Sequence, residues 1–138
     1  MKNLIRVFTL VILLFAATNV MAQVSSTKNQ LIKKGMVKVA ILYPGGEGKK
    51  FDMDYYVNKH FPLLRTLCGD ALKATAIDKG LAGGAPGAPI PFLAIGYLYF
   101  DTLEAYQNAM KASVDKIRAD IPNYTNIQPV IQVSEVVE

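Results

Sequence analysis

His60 is the single histidine of the chain. Imidazole is the side chain whose ordinary pKa lies nearest neutrality, so an acid–base step at pH 7 would run through this residue. Tyr56 stands four residues earlier, one turn away on a helix, which puts a phenol and an imidazole on one stripe. Such a pair could pass a proton to and from a bound molecule as catalytic groups. The alternative is a core histidine whose ring nitrogens are satisfied by backbone carbonyls. Tyr97 and Tyr99 share one strand parity, and Tyr43 ends an earlier apolar run. If their faces line a cavity, the three hydroxyls would suit substrate binding of a small apolar or aromatic molecule. The alternative for each tyrosine is packing at a subunit interface.

Other chemistries find less support. Asp52 and Asp54 could be paired carboxylates, but a helix N-cap with a first-turn acid accounts for both. Cys68, alone in the chain, sits in Leu67-Cys68-Gly69 at a helix end with no histidine beside it in sequence, which reads as a small buried hydrophobe. A metal centre wants several clustered His, Cys or carboxylate ligands, and none is expected from one His and one Cys. The glycine-rich GGEG and GLAGG lack the dinucleotide fingerprint, so no cofactor is evident from the residues.

The elements that must position these residues follow from pattern. Residues 36–43, MVKVAILY, read as a strand stopped by Pro44-Gly45-Gly46. Asp52 caps a helix whose apolar stripe is Met53, Tyr56, Val57, His60, Leu64 and Leu67, and Gly69 ends it. Pro62 lies inside it with no N–H for the carbonyl of Asn58, so the helix is expected to kink or loosen just after His60. Residues 71–81 read as a weaker strand, GGAPGAPIP as a long connection, and residues 92–100, FLAIGYLYF, as the strongest strand. Asp101 and Glu104 have capping-box spacing before a second helix carrying Leu103, Tyr106, Met110, Val114, Ile117 and Ile121. Pro122 stops it, and residues 127–137 supply a fourth strand with Pro129 near its start.

The order β-α-β-β-α-β predicts an α+β, ferredoxin-like antiparallel sheet with two helices on one face. Both parities of the third strand are apolar or aromatic, whereas a sheet with one wet face alternates apolar with polar. A two-fold homodimer packed sheet to sheet is the economical cover.

The remainder of the chain bears on setting. Lys2 and Arg6, the apolar run over residues 7–17 and Val20-Met21-Ala22 match a secretory signal peptide cut after Ala22. That apolar run is about half the roughly 20 residues a membrane span needs. The expected organisation is residues 1–22 as signal peptide, 23–35 as a loose N-terminal arm and 36–138 as the domain, in a periplasmic or secreted protein with no membrane contact after cleavage. The net charge of +4 over 138 residues falls to +2 without Lys2 and Arg6, too weak a surplus for a nucleic-acid partner. With 51% apolar and 19% charged residues the chain is a packed globule and not a disordered segment.

Residues 52–63, DMDYYVNKHFPL, following a strand that ends Leu42-Tyr43-Pro44, resemble the YY-x3-H-x-PL signature of the EthD family, and residues 98–105, LYFDTLEA, resemble its junction between third strand and second helix. The resemblance runs from about Met36 to the C-terminus. It implies a dimeric α+β barrel, two ferredoxin-like units whose sheets meet around a cavity. The family takes its name from ethyl tert-butyl ether degradation, and its members are commonly labelled reductases or oxidoreductases. Related barrels include polyketide cyclases, monooxygenases and haem-degrading proteins, so fold alone leaves chemistry open. A lone helical histidine could by the same likeness serve as an axial haem ligand, although cationic partners for the propionates are not evident. The resemblance thus admits an oxidoreductase or a cofactor-free proton-transfer enzyme using His60, and a non-catalytic ligand-binding module as the alternative.

Overall fold

A computed structural model describes residues Ile32–Glu138. The expected signal peptide and residues 23–31 of the arm lie outside the described residues. The β-branched and aromatic runs form four antiparallel strands, β1 (Val37–Pro44), β2 (Leu72–Lys79), β3 (Phe92–Phe100) and β4 (Val130–Glu135), in the spatial order β2-β3-β1-β4. Between β1 and β2 runs a helical arm made of α1 (Met53–Tyr55), a π-helical turn over Tyr56–His60, and α2 (Phe61–Cys68). The second helix, α3 (Leu103–Asp120), connects β3 to β4. This is the ferredoxin-like arrangement.

Register assigns the faces. Val39 opposes Leu98 and Val37 opposes Phe100, and all four pack in the core beneath the helices with Phe61 and Leu64. The opposite parity places Ala40 against Tyr97 and Leu42 against Ile95, with Ala76 beyond Tyr97 on β2. These residues lie on the face that no described helix covers.

Local chemistry shifts several boundaries. Asp52 does cap the first helical arm, its Oδ1 accepting from Tyr55 N–H at 2.9 Å. The disturbance expected after His60 instead lies before it: Phe61 N–H bonds the carbonyl of Tyr56, widening the turn so that Pro62 enters α2 in its first turn, where a missing N–H costs least. The arm ends at Gly69, whose φ of +52° suits a residue without Cβ. The cap of α3 is Thr102, whose Oγ1 accepts from Ala105 N–H at 3.1 Å, and not Asp101, which pairs with Lys73 at 3.4 Å. β4 begins at Val130, after Pro129, because Ile127 turns into the core instead of joining the sheet.

Candidate functional site

Between α3 and the helix-side face of β1, β3 and β4 lies a cavity of about 730 Å³, inside the size range of small-molecule pockets. Val39, Ile41 and Leu98 form its floor, Met110, Val114 and Ile117 its roof, and Tyr43 and His60 also line it. Apolar alternation on the strands and the 3.6-residue period of α3 together produce this lining.

His60 is 3% exposed, yet both ring nitrogens have partners. Nδ1 lies 2.8 Å from Oδ2 of Asp120, the last residue of α3, and Nε2 lies 3.3 Å from the hydroxyl of Tyr124. Tyr124 in turn meets the hydroxyl of Tyr43 at 2.7 Å. Because a carboxylate can only accept, Nδ1 carries the imidazole proton. Nε2 then accepts from Tyr124, and Tyr124 accepts from Tyr43. The result is one directed chain, Tyr43 to Tyr124 to His60 to Asp120, entered from the cavity at Tyr43 or His60.

The protonation states agree with this direction. Burial lowers the His60 pKa below its ordinary 6.5, and the Asp120 hydrogen bond only partly offsets it, so the ring is neutral at pH 7. Burial works against the Asp120 carboxylate, but hydrogen bonds from His60, Asn123 and Tyr55 outweigh it and hold the pKa below the usual carboxylate range. Tyr55 Oη and Asn123 Nδ2 donate to Oδ1 at 2.8 and 2.9 Å. Burial pushes Tyr43 and Tyr124 up, so both phenols keep their protons.

Sequence position alone does not bring Tyr124 here. Asp52 N–H bonds the Tyr124 carbonyl at 2.7 Å, Phe51 bridges to Thr125, and Thr125 Oγ1 donates to the Lys50 carbonyl at 2.7 Å, so the loop after β1 clamps the segment after α3. Phe51, Tyr43, Tyr56 and Tyr124 then pack edge to face or tilted.

The structure thus brings together three of the five residues singled out from sequence. His60 and Tyr43 line the cavity. Tyr56 is fully buried and its ring lies nearly parallel to the imidazole at 5.5 Å between centroids, but among the described residues its hydroxyl has no hydrogen-bond partner. The phenol that His60 engages is Tyr124. Tyr97 and Tyr99 do not join this cavity, since their parity puts them on the opposite face of the sheet, where Lys38 Nζ lies 5.6 Å from the Tyr97 ring centre. The imidazole is satisfied by a carboxylate and a phenol and not by the backbone carbonyls that the core-histidine alternative expects. Cys68 is buried, and burial raises its thiol pKa, which disfavours thiolate. An axial haem bond fits these residues poorly, since Nδ1 is held by Asp120 and Nε2 by Tyr124.

Asp120 and Tyr124 are the members that sequence reading missed. One signal was available for Asp120: a carboxylate in the last turn of a helix opposes the helix dipole, and a residue in that unfavourable place invites a functional explanation.

Comparison with known proteins gives consistent relatives. A family model described as the EthD domain matches residues 45–128. An EthD-like protein from Ralstonia eutropha JMP134 is 42% identical, with a TM-score of 0.73 over 77% of this chain and 96% of that one. A protein of the ethyl tert-butyl ether D (EthD) family from Bacillus halodurans C-125 is 24% identical, with a TM-score of 0.52 over 74% and 99%. A protein from Arabidopsis thaliana shares the fold at 14% identity, with a TM-score of 0.55 over 74% and 96%. No curated protein matches the chain.

Proposed function

The chain belongs to the EthD family, and from that premise we propose that it binds a small apolar or aromatic molecule in the cavity under α3 and moves a proton on it through His60. The observation that carries this reading is the directed hydrogen-bond chain from the cavity wall to Asp120. A ligand proton arriving at Tyr43 Oη would shift the Tyr43 proton to Tyr124 and the Tyr124 proton to Nε2. The imidazolium so formed lies against the Asp120 carboxylate, and reversal returns the proton. Nothing is consumed, so the relay suits isomerisation, cyclisation or dehydration of an enolisable compound. An oxidoreductase role, which the family label suggests, would need a separate electron donor or acceptor beside the substrate, because this relay carries protons only. The leader pattern favours a periplasmic or secreted setting.

The test is deuterium exchange into 1-phenylpropan-2-one in D2O, followed by proton NMR. The protein is expected to accelerate exchange at the carbon between ring and carbonyl, and His60→Gln to abolish the acceleration. The active form is neutral His60, whose pKa is depressed, so the rate should hold its plateau as pH falls through 6.5 and decline only below it. A decline centred above pH 6.5, or exchange that survives His60→Gln, would rule out proton transfer through this residue. Binding of the ketone without exchange would leave a non-catalytic ligand-binding module.

We further propose a homodimer formed by the face carrying Ala40, Leu42, Ala76, Ile95 and Tyr97. A sheet face whose centre is apolar and aromatic, with Lys38 and Asp78 flanking it, needs cover, and a second copy of the same sheet supplies it with two-fold symmetry. Light scattering should give twice the chain mass, and Ala40→Glu, at the middle of that face, should give single chains. A wild-type monomer would sink the sheet-to-sheet arrangement.

A further inference from the structure

The cavity is apolar inside, but its rim is charged with one sign. Lys111 and Arg118 line it from the exposed edge of α3, with Gln107 on the same stripe and Gln128 across the mouth. Among the described residues no aspartate or glutamate belongs to the lining. Positions 111 and 118 are seven residues apart, two helical turns, so both ammonium and guanidinium project from one side of α3 roughly 10 Å apart along its axis. Among the described residues neither cation makes an ion pair, although Asp115 stands four residues after Lys111. Two uncompensated cations above low-dielectric walls concentrate anions at the mouth. Aromatic or aliphatic bulk would fill the interior, against Met110, Val114 and Ile117.

We infer that the ligand is an amphipathic anion, an apolar or aromatic body bearing a carboxylate, sulfonate or comparable acidic group held by Lys111 and Arg118 at the cavity mouth. The inference rests on the cavity being the binding site proposed above. It also complements the relay, because a proton withdrawn at the Tyr43 end leaves negative charge on a molecule whose surroundings already favour it.

Two fluorescent probes that differ by one sulfonate test it: 8-anilinonaphthalene-1-sulfonate and uncharged N-phenyl-1-naphthylamine. Each is titrated into the protein, into a Lys111→Gln/Arg118→Gln double variant, and into Val114→Trp, which puts an indole into the cavity from its roof. The sulfonate is expected to bind about tenfold tighter than the neutral probe and to lose that advantage in the double variant and at high salt, while the neutral probe stays within about twofold. Val114→Trp is expected to weaken both. If Val114→Trp weakens both but the double variant leaves the sulfonate affinity unchanged, the anionic-ligand inference is overturned while the cavity reading stands. If Val114→Trp weakens neither, the probes bind elsewhere, and the cavity reading falls together with the inference.

Discussion

Asp120→Asn is expected to slow proton exchange by on the order of a hundred- to ten-thousandfold, the usual contribution of a positioned general acid–base group, which this substitution would disable through its orienting carboxylate. The argument is one of direction. In the native chain Oδ2 accepts from His60 Nδ1–H, while Tyr55 and Asn123 both donate to Oδ1. With asparagine, the two donors keep the remaining oxygen, so the amide NH2 faces His60 and must donate. Nδ1 becomes an acceptor, the proton moves to Nε2, and Nε2 now donates to Tyr124. Tyr124 then has to donate to Tyr43, so every hydrogen in the relay reverses and the cavity end offers the wrong partner to a ligand proton. His60 also loses the carboxylate that favours its imidazolium. Stability should change far less. Losing a charge-assisted hydrogen bond costs about 1.5–3 kcal/mol, and removing a carboxylate from a helix C-terminus returns about 0.3–1 kcal/mol. Nitrogen-15 NMR of the imidazole reads the tautomer directly. Retained Nδ1–H with near-native exchange would show that Asp120 neither orients nor supports His60.

His60 was legible in the sequence because its residue type is unique there, and Tyr43 because a strand visibly stops behind it. β3 was legible to the residue, since nine consecutive apolar or aromatic positions, interrupted only by Gly96, need no tertiary context. Asp120 and Tyr124 were not, because a contact across 60 or more positions depends on how α3 and the following segment fold back over the helical arm, and nothing local encodes that. Tyr56 does share the stripe of His60, but the two meet ring to ring and not through the hydroxyl. The π-helical turn that Pro62 accompanies sets the phenol ring against the imidazole ring, with the hydroxyl against Gly96 of β3. For Tyr97 and Tyr99, alternation fixed that they share a face but not which one. The clue was Gly96, a residue without a side chain in the middle of the strongest strand.

Gly96→Ala is expected to destabilise the fold by about 2 kcal/mol, against the ordinary sense of this substitution. On an unobstructed strand, alanine for glycine gains about 0.5–1 kcal/mol by limiting the unfolded chain. At Gly96 a Cβ would collide with the Tyr56 hydroxyl and come within 3.0 and 3.2 Å of two Phe61 ring carbons. Both rings are completely buried, so neither can move aside without disturbing the core, and overpacking of this kind costs about 1–3 kcal/mol. Tyr56→Phe removes the colliding oxygen, a buried hydroxyl that none of the described residues hydrogen-bonds. Alone, it should therefore stabilise by about 1 kcal/mol. In the double variant, part of the alanine penalty should vanish, leaving a coupling of about 1 kcal/mol in a denaturation cycle. Proton exchange in Tyr56→Phe should stay near native, since the relay passes through Tyr43 and Tyr124. Strict additivity would mean that Phe61 alone carries the clash. A large loss of exchange in Tyr56→Phe would instead return this phenol to the proton path and displace Tyr124 from it.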